Sequence, residues 1–153
     1  MSYGNLKSDS KSKYLRVKEG KDVDINILTS SENVIHQFVH ISDKKERSIC
    51  VKGQCALCQD GDQPKERWNI VVYNWTDGCP QLFEFGFSIF NQIRNIASLL
   101  EESGMTIHDT NLRIKATGSG FNTKYQIMQL PKREPVPEGL VLPKLQKDIE
   151  VPF

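Results

Sequence analysis

Three cysteines lie close together and could hold a metal ion. Cys55 and Cys58 form a C-x2-C pair, and Cys50 precedes that pair by five residues. This spacing lets two thiolates reach one tetrahedral Zn²⁺. We expect His40 to be the fourth ligand, because it lies at the end of the strand that leads into this segment. His36, two residues earlier, is the alternative.

Other interpretations of these cysteines remain open. They can be ordinary reduced thiols, or the C-x2-C pair can be a redox pair, which would need a following helix. Turn-forming residues 59–62 follow the pair instead. Cys79 could join the site only if its own turn lies against the pair. A zinc ion with four protein ligands has no open position for catalysis, so the predicted zinc is structural.

The segment that carries the cysteines cannot build a core of its own. Residues 42–66 contain a basic cluster and almost no aliphatic side chains, so apolar burial cannot hold them. The free energy of metal binding can serve as folding free energy. The sequence therefore predicts a zinc-knuckle insertion over residues 42–66.

Short strands and a single helix surround the insertion. Alternating or β-branched apolar residues mark the strands, and apolar residues at helical spacing mark one helix between Ile89 and Leu100. The predicted strands cover residues 23–27, 34–41, 67–75, 82–86, 112–116 and 121–130. This order predicts a mainly β protein, an OB-fold-like barrel of five to six strands with one helix.

Length and composition indicate one domain with tails. We expect a flexible basic arm over residues 1–13, a domain over 14–130 and a Pro-rich linker and tip over 131–153. The longest apolar run, residues 70–73, is too short to cross a bilayer. The N-terminus has no secretory apolar stretch, so we expect an intracellular protein with reduced cysteines.

Basic and aromatic residues could together grip a nucleic-acid strand, although the net charge is only +1. Cations pair with phosphates, and aromatic rings stack on bases. Period-two alternation predicts that one such set points outward from the sheet, while a place in the core remains open for Tyr125. The candidate contacts are Arg67, Tyr73, Trp75, Arg113, Lys115, Lys124 and Tyr125. The basic residues of 1–21 could contact the same strand or a neighbouring protomer.

Five short segments in order carry a family resemblance. They are the cysteine cluster 50–58, PKER at 64–67, LRI at 112–114, GSG at 118–120 and TKY at 123–125. Together they resemble phage-type single-stranded DNA-binding proteins with a zinc-bearing OB-fold. The resemblance spans residues 34–131 and implies coating of single strands in replication, recombination or repair. It implies that zinc is held by Cys50, Cys55, Cys58 and His40, and that Arg67, Arg113 and Lys124 contact the backbone.

The C-terminus carries a second resemblance. Its last residues are similar to the acidic tip of bacterial single-stranded DNA-binding proteins, although this chain has fewer acids and nearby lysines. The resemblance implies that the tip docks replication or repair proteins through its carboxylates and its terminal phenylalanine. The tip residues are Asp148, Ile149, Glu150, Val151, Pro152 and Phe153.

No catalytic motif stands out, so we expect a non-enzymatic protein. The Gly118-x-Gly120 pair joins predicted strands, whereas a dinucleotide fingerprint would need a helix after it. Two other functions remain open: a zinc-stapled adaptor that binds another protein, and an RNA-binding regulator. The resemblance places the protein in bacterial or phage-infected host cytoplasm.

Overall fold

The computed structural model of the chain describes residues 13–41, 47–50, 61, 63–118, 123–131 and 134–144. Over these residues the chain forms one sheet of seven strands, all paired antiparallel, and one α-helix. The strands are β1 (Val23–Ile27), β2 (Ile35–Ile41), β3 (Arg47–Ile49), β4 (Lys65–Asn74), β5 (Cys79–Phe85), β6 (Leu112–Thr117) and β7 (Lys124–Gln129). Helix α1 (Phe87–Glu102) connects β5 to β6. The predicted mainly β class is confirmed.

Strand β4 is the centre of the sheet. One edge pairs with β2 over residues 65–69 and with β1 over residues 72–74, while the other edge pairs with β5 over residues 68–74. The strands predicted over residues 67–75 and 82–86 therefore pair with each other as a hairpin. Strand β1 also pairs with β6, and β6 with β7, which completes the sheet.

One face of the sheet packs against α1. Alternate residues of β4, namely Trp68, Ile70 and Val72, join Phe83 and other buried side chains in a continuous core. The helix contributes its apolar side, and it ends where the amide of Gly104, at φ 76°, donates to a carbonyl of the last turn. The predicted helix is confirmed. Burial of each large aliphatic side chain stabilises such a core by about 1.5–3 kcal/mol.

The sheet does not close into a barrel over the described residues. Closure would join β5 to β7, but other groups occupy the edges of these strands. The amide of Leu15 donates to the carbonyl of Leu82 at 2.7 Å, and the amide of Leu82 donates to the carbonyl of Lys13 at 2.8 Å. On β7, the side chain of Gln92 bonds to the backbone. The predicted barrel therefore differs from the observed open sheet.

Two further features lie within the predicted insertion and the predicted linker. Strand β3 lies inside the predicted insertion and pairs with β2; its three residues are too few for periodicity to reveal. The start of the predicted linker contacts the domain, because the amide of Glu134 donates to Oδ1 of Asn111, the residue before β6, at 2.8 Å. Most of the predicted arm lies outside the described residues. Among those described, no helix is both long and apolar enough to cross a membrane.

Candidate nucleic-acid interface

A cleft of about 560 Å³ opens between β5 and β7. We call residues 13–18 the N-terminal strap, and its residues 14–18 form one wall. The other walls come from β4, β5, the start of α1 and β7. We call this opening the strap cleft. The side chains in its lining that could contact a nucleic acid are Tyr14, Arg16, Lys18, Arg67, Phe87 and Tyr125.

The strap runs in extended form along the edge of β5. Leu15 is only 8% exposed and joins the core, and Val17 packs against that core. In an extended chain successive side chains point to opposite sides, so Arg16 and Lys18, which alternate with them, are exposed. The strap thus combines an apolar side that anchors it with a basic side that faces solvent.

Arg67 reaches the strap cleft from β4. Its Nη1 donates to the carbonyl of Glu66 at 3.0 Å, and its guanidinium passes beside Gly86, the residue before α1. A Cβ at Gly86 would lie 2.6 Å from Nη1 of Arg67. Glycine at this position therefore allows the cation to approach the start of the helix.

Tyr125 reaches the same cleft from β7. Its half-buried side chain packs against the core and also lines the cleft. The neighbouring Lys124 is exposed. The structure thus brings two of the predicted contacts, Arg67 and Tyr125, into one opening, although they lie on strands that do not pair. The sequence left open whether Tyr125 lies in the core or at the surface. Its side chain does both, because it packs against the core and lines the cleft.

Arg113 and Lys115 lie elsewhere, on β6, and acidic residues accompany them. Nε of Arg113 donates to Oδ1 of Asp24 at 2.7 Å, and Nη2 donates to Oδ2 at 3.1 Å. This hydrogen bonding, with the attraction between the charges, raises the pKa of Arg113 above its ordinary value. Nζ of Lys115 lies 3.9 Å from Oδ2 of Asp22. Carboxylates of the protein itself therefore partly compensate the positive charges of Arg113 and Lys115.

The expected outward position of Tyr73 is wrong. Tyr73 is only 6% exposed, because β4 lies at the centre of the sheet and both of its faces are covered. Trp75 is half-buried, its Nε1 donates to Oδ1 of Asn26 at 2.7 Å, and its ring contacts Tyr73 edge to face at 4.8 Å. Neither ring lines the strap cleft.

Two of the predicted zinc ligands lie next to each other on the β2–β3 hairpin. His40 pairs with Ser48, and the amide of Cys50 donates to the carbonyl of Phe38 at 2.8 Å, which continues the same register. Directly paired residues share a face of the sheet, so His40 and Cys50 lie on one face, and both are buried. Cys55 and Cys58 lie outside the described residues. Within the described ranges no group of three or more metal-binding side chains occurs.

The alternative ligands occupy different surroundings. Nε2 of His36 lies 2.8 Å from Oε2 of Glu66, and the imidazole stacks on Trp68. Cys79 pairs with Asn74 at the end of β4 remote from β2. Asn74 lies nine positions after Lys65, which pairs with β2, and nine positions of extended chain span about 30 Å. Cys79 is therefore excluded from a site that includes His40 and Cys50.

Neither the strap nor Phe87 was predicted from the sequence as part of the binding site. The alternation of Leu15 and Val17 with Tyr14, Arg16 and Lys18 is a strand signal that could have identified the strap. The predicted partner-binding tip, residues 148–153, lies outside the described residues. In comparisons with known proteins, no family model matches this chain and no curated protein matches it.

Proposed function

We propose that this protein binds single-stranded DNA without catalysing a reaction, and that it does so in replication, recombination or repair. One observation carries the proposal: the strap cleft gathers cations from the strap and from β4 beside aromatic side chains from α1 and β7. These residues are distant in sequence, and the fold alone brings them together. Cations pair with the phosphates of a single strand, and aromatic rings stack on its unpaired bases.

The size of the cleft favours a single strand. Its volume of about 560 Å³ lies within the range of small-molecule sites, about 300–1,000 Å³. Such a space accommodates one or two nucleotides and not a duplex. Contacts to phosphates and to the faces of bases carry little sequence information, so we expect weak sequence preference.

We also propose that the fold is an OB-fold variant stabilised by a structural zinc ion. The arrangement of β4, β5, α1, β6 and β7 has the helix between later strands, as in that fold. His40 and Cys50 would hold the metal together with Cys55 and Cys58. Two buried donors on one face of the hairpin support this ligand set. A closed zinc site supplies folding free energy to the insertion.

The tip would recruit partner proteins. Asp148, Glu150 and Phe153 offer carboxylates and an apolar ring to a basic, hydrophobic pocket on a replication or repair protein. The Pro-rich segment before the tip would present it at a distance from the sheet.

A titration of labelled oligo-dT followed by fluorescence anisotropy at two salt concentrations tests the function. Each phosphate that the protein neutralises contributes about −0.7 to the slope of log K against log salt. Arg67→Ala should weaken binding and make that slope shallower. Lys144→Ala, which removes an exposed cation of the C-terminal segment outside the strap cleft, is the matched control and should bind as the wild type does. No binding at micromolar protein in low salt would contradict the proposal.

The same titration separates the alternative functions. RNA of matched sequence that competes better than DNA would favour an RNA-binding regulator. A protein partner that is retained after nuclease treatment, together with no affinity for either nucleic acid, would favour an adaptor.

A further inference from the structure

We propose that the ring of Phe87 is the platform on which one unpaired base stacks at the strap cleft. The inference rests on the proposed single-strand binding and identifies a contact in that site. Phe87 is the first residue of α1, it lines the cleft, and it is 58% exposed. The ligand class follows from its surroundings: a planar base joined to a phosphate.

The ring of Phe87 is supported from behind. Its centroid lies 6.3 Å from that of Phe90 and 6.4 Å from that of Trp68, and it is tilted to both. Trp68 and Phe90 themselves stack in parallel at 4.2 Å. These rings hold Phe87 in place, so a base that stacks on its outer side does not have to order a mobile side chain.

Charges beside the ring favour a nucleotide over an uncharged aromatic ligand. Arg16, Lys18 and Arg67 line the same cleft. The acidic residue of the lining, Glu84, accepts hydrogen bonds from the side chains of Asn69 and Gln37 at 3.4 and 3.5 Å. These neutral amides leave the negative charge of Glu84 in place, but the three cations of the lining outnumber this one carboxylate. The lining therefore carries a net positive charge beside an aromatic ring, which is the combination that single strands require.

A second exposed apolar residue of α1, Leu99, shows that the exposure of Phe87 is not by itself the argument. Leu99 is 64% exposed, slightly more than Phe87, but it does not line the cleft. Isolated exposed apolar side chains are normal in proteins, so exposure alone says nothing about Phe87. Its position among cations and supporting rings is what Leu99 lacks.

The test compares oligo-dT with an abasic oligodeoxynucleotide of the same length and phosphate count. Phe87→Ala should weaken binding to oligo-dT about 5- to 150-fold, the loss expected for one stacked base. Its affinity for the abasic oligonucleotide should equal that of the wild type. Phe87→Tyr should retain binding to oligo-dT, Phe87→Leu should weaken it as Phe87→Ala does, and Leu99→Ala should behave as the wild type. A thermal melt of each variant verifies the fold.

Each outcome decides between the hypotheses. Equal affinity of wild type and Phe87→Ala for oligo-dT would overturn the stacking role while leaving single-strand binding intact. Equal losses with both oligonucleotides would also overturn it, because the side chain would then act on the fold or on phosphate binding. If the wild type binds neither oligonucleotide, the proposed function fails and the stacking role fails with it.

Discussion

The side-chain amide of Gln92 pairs with the backbone around Ile127 as a neighbouring strand would. Its Oε1 accepts from the amide of Ile127 at 2.8 Å, and its Nε2 donates to the carbonyl of Tyr125 at 2.9 Å. A helix residue thus satisfies one donor and one acceptor on the outer edge of β7. Unpaired strand edges invite association with other chains, so this contact protects the edge and also fixes α1 against the sheet.

Gln92→Met tests this role. Methionine keeps the length and volume of the side chain but removes both hydrogen bonds, which leaves two half-buried backbone groups without partners. We expect the free energy of unfolding in urea to fall by about 1–3 kcal/mol. Asn95→Ala, at an exposed position of the same helix, should leave the stability unchanged or slightly increased, since alanine favours helix. Equal stability of Gln92→Met and wild type would contradict this role.

The strap protects a second edge of the sheet, on β5. Two backbone hydrogen bonds and the burial of Leu15 hold it there. Leu15→Ala should release the strap at a cost of about 2–3 kcal/mol. Trypsin should then cleave faster after Arg16 and Lys18, and oligo-dT should slow that cleavage. Leu142→Ala, at an exposed position of the C-terminal segment, is the control. An unchanged cleavage rate in Leu15→Ala would show that other contacts hold the strap.

The ion pair between Arg113 and Asp24 leads to a third prediction. Asp24→Asn should release Arg113 to contact a phosphate, because the carboxylate no longer competes for the guanidinium. Oligo-dT should bind more tightly, and the salt slope should steepen by about 0.7. Glu138→Gln removes one exposed negative charge from the C-terminal segment and should change neither quantity. A weaker or unchanged affinity in Asp24→Asn would indicate that Arg113 serves only the fold.

The class of the fold could be predicted from the sequence, because periodicity reports local geometry directly. The strand before the insertion, the β4–β5 hairpin and the helix were all identifiable in this way. The pairing partners were not, since register between distant strands depends on the whole chain. For this reason the pairing of Arg113 on β6 with Asp24 on β1 was missed.

The error at Tyr73 has a physical cause that the sequence did contain. Residues 70–73 are apolar without interruption, which is typical of a strand buried on both faces rather than one. Alternation at Arg67 and Asn69 suggested one exposed face instead. Arg67 was predicted as a contact and does line the strap cleft, whereas Phe87 was not identified, because an aromatic residue at a helix start resembles a core residue in sequence.

The insertion provides the last prediction. If Cys50, Cys55 and Cys58 bind zinc with His40, the purified protein should contain one zinc ion per chain. A double variant, Cys55→Ser with Cys58→Ser, should lose the metal and melt at a lower temperature, because zinc binding supplies folding free energy to a segment without its own core. Cys79→Ser should keep both the metal and the melting temperature, since Cys79 begins β5 and pairs with the end of β4 that is remote from β2. Acidification should release zinc as the ligands protonate. Atomic absorption and thermal melts measure these effects, and a metal-free wild type with unchanged melting in the double variant would contradict the zinc staple.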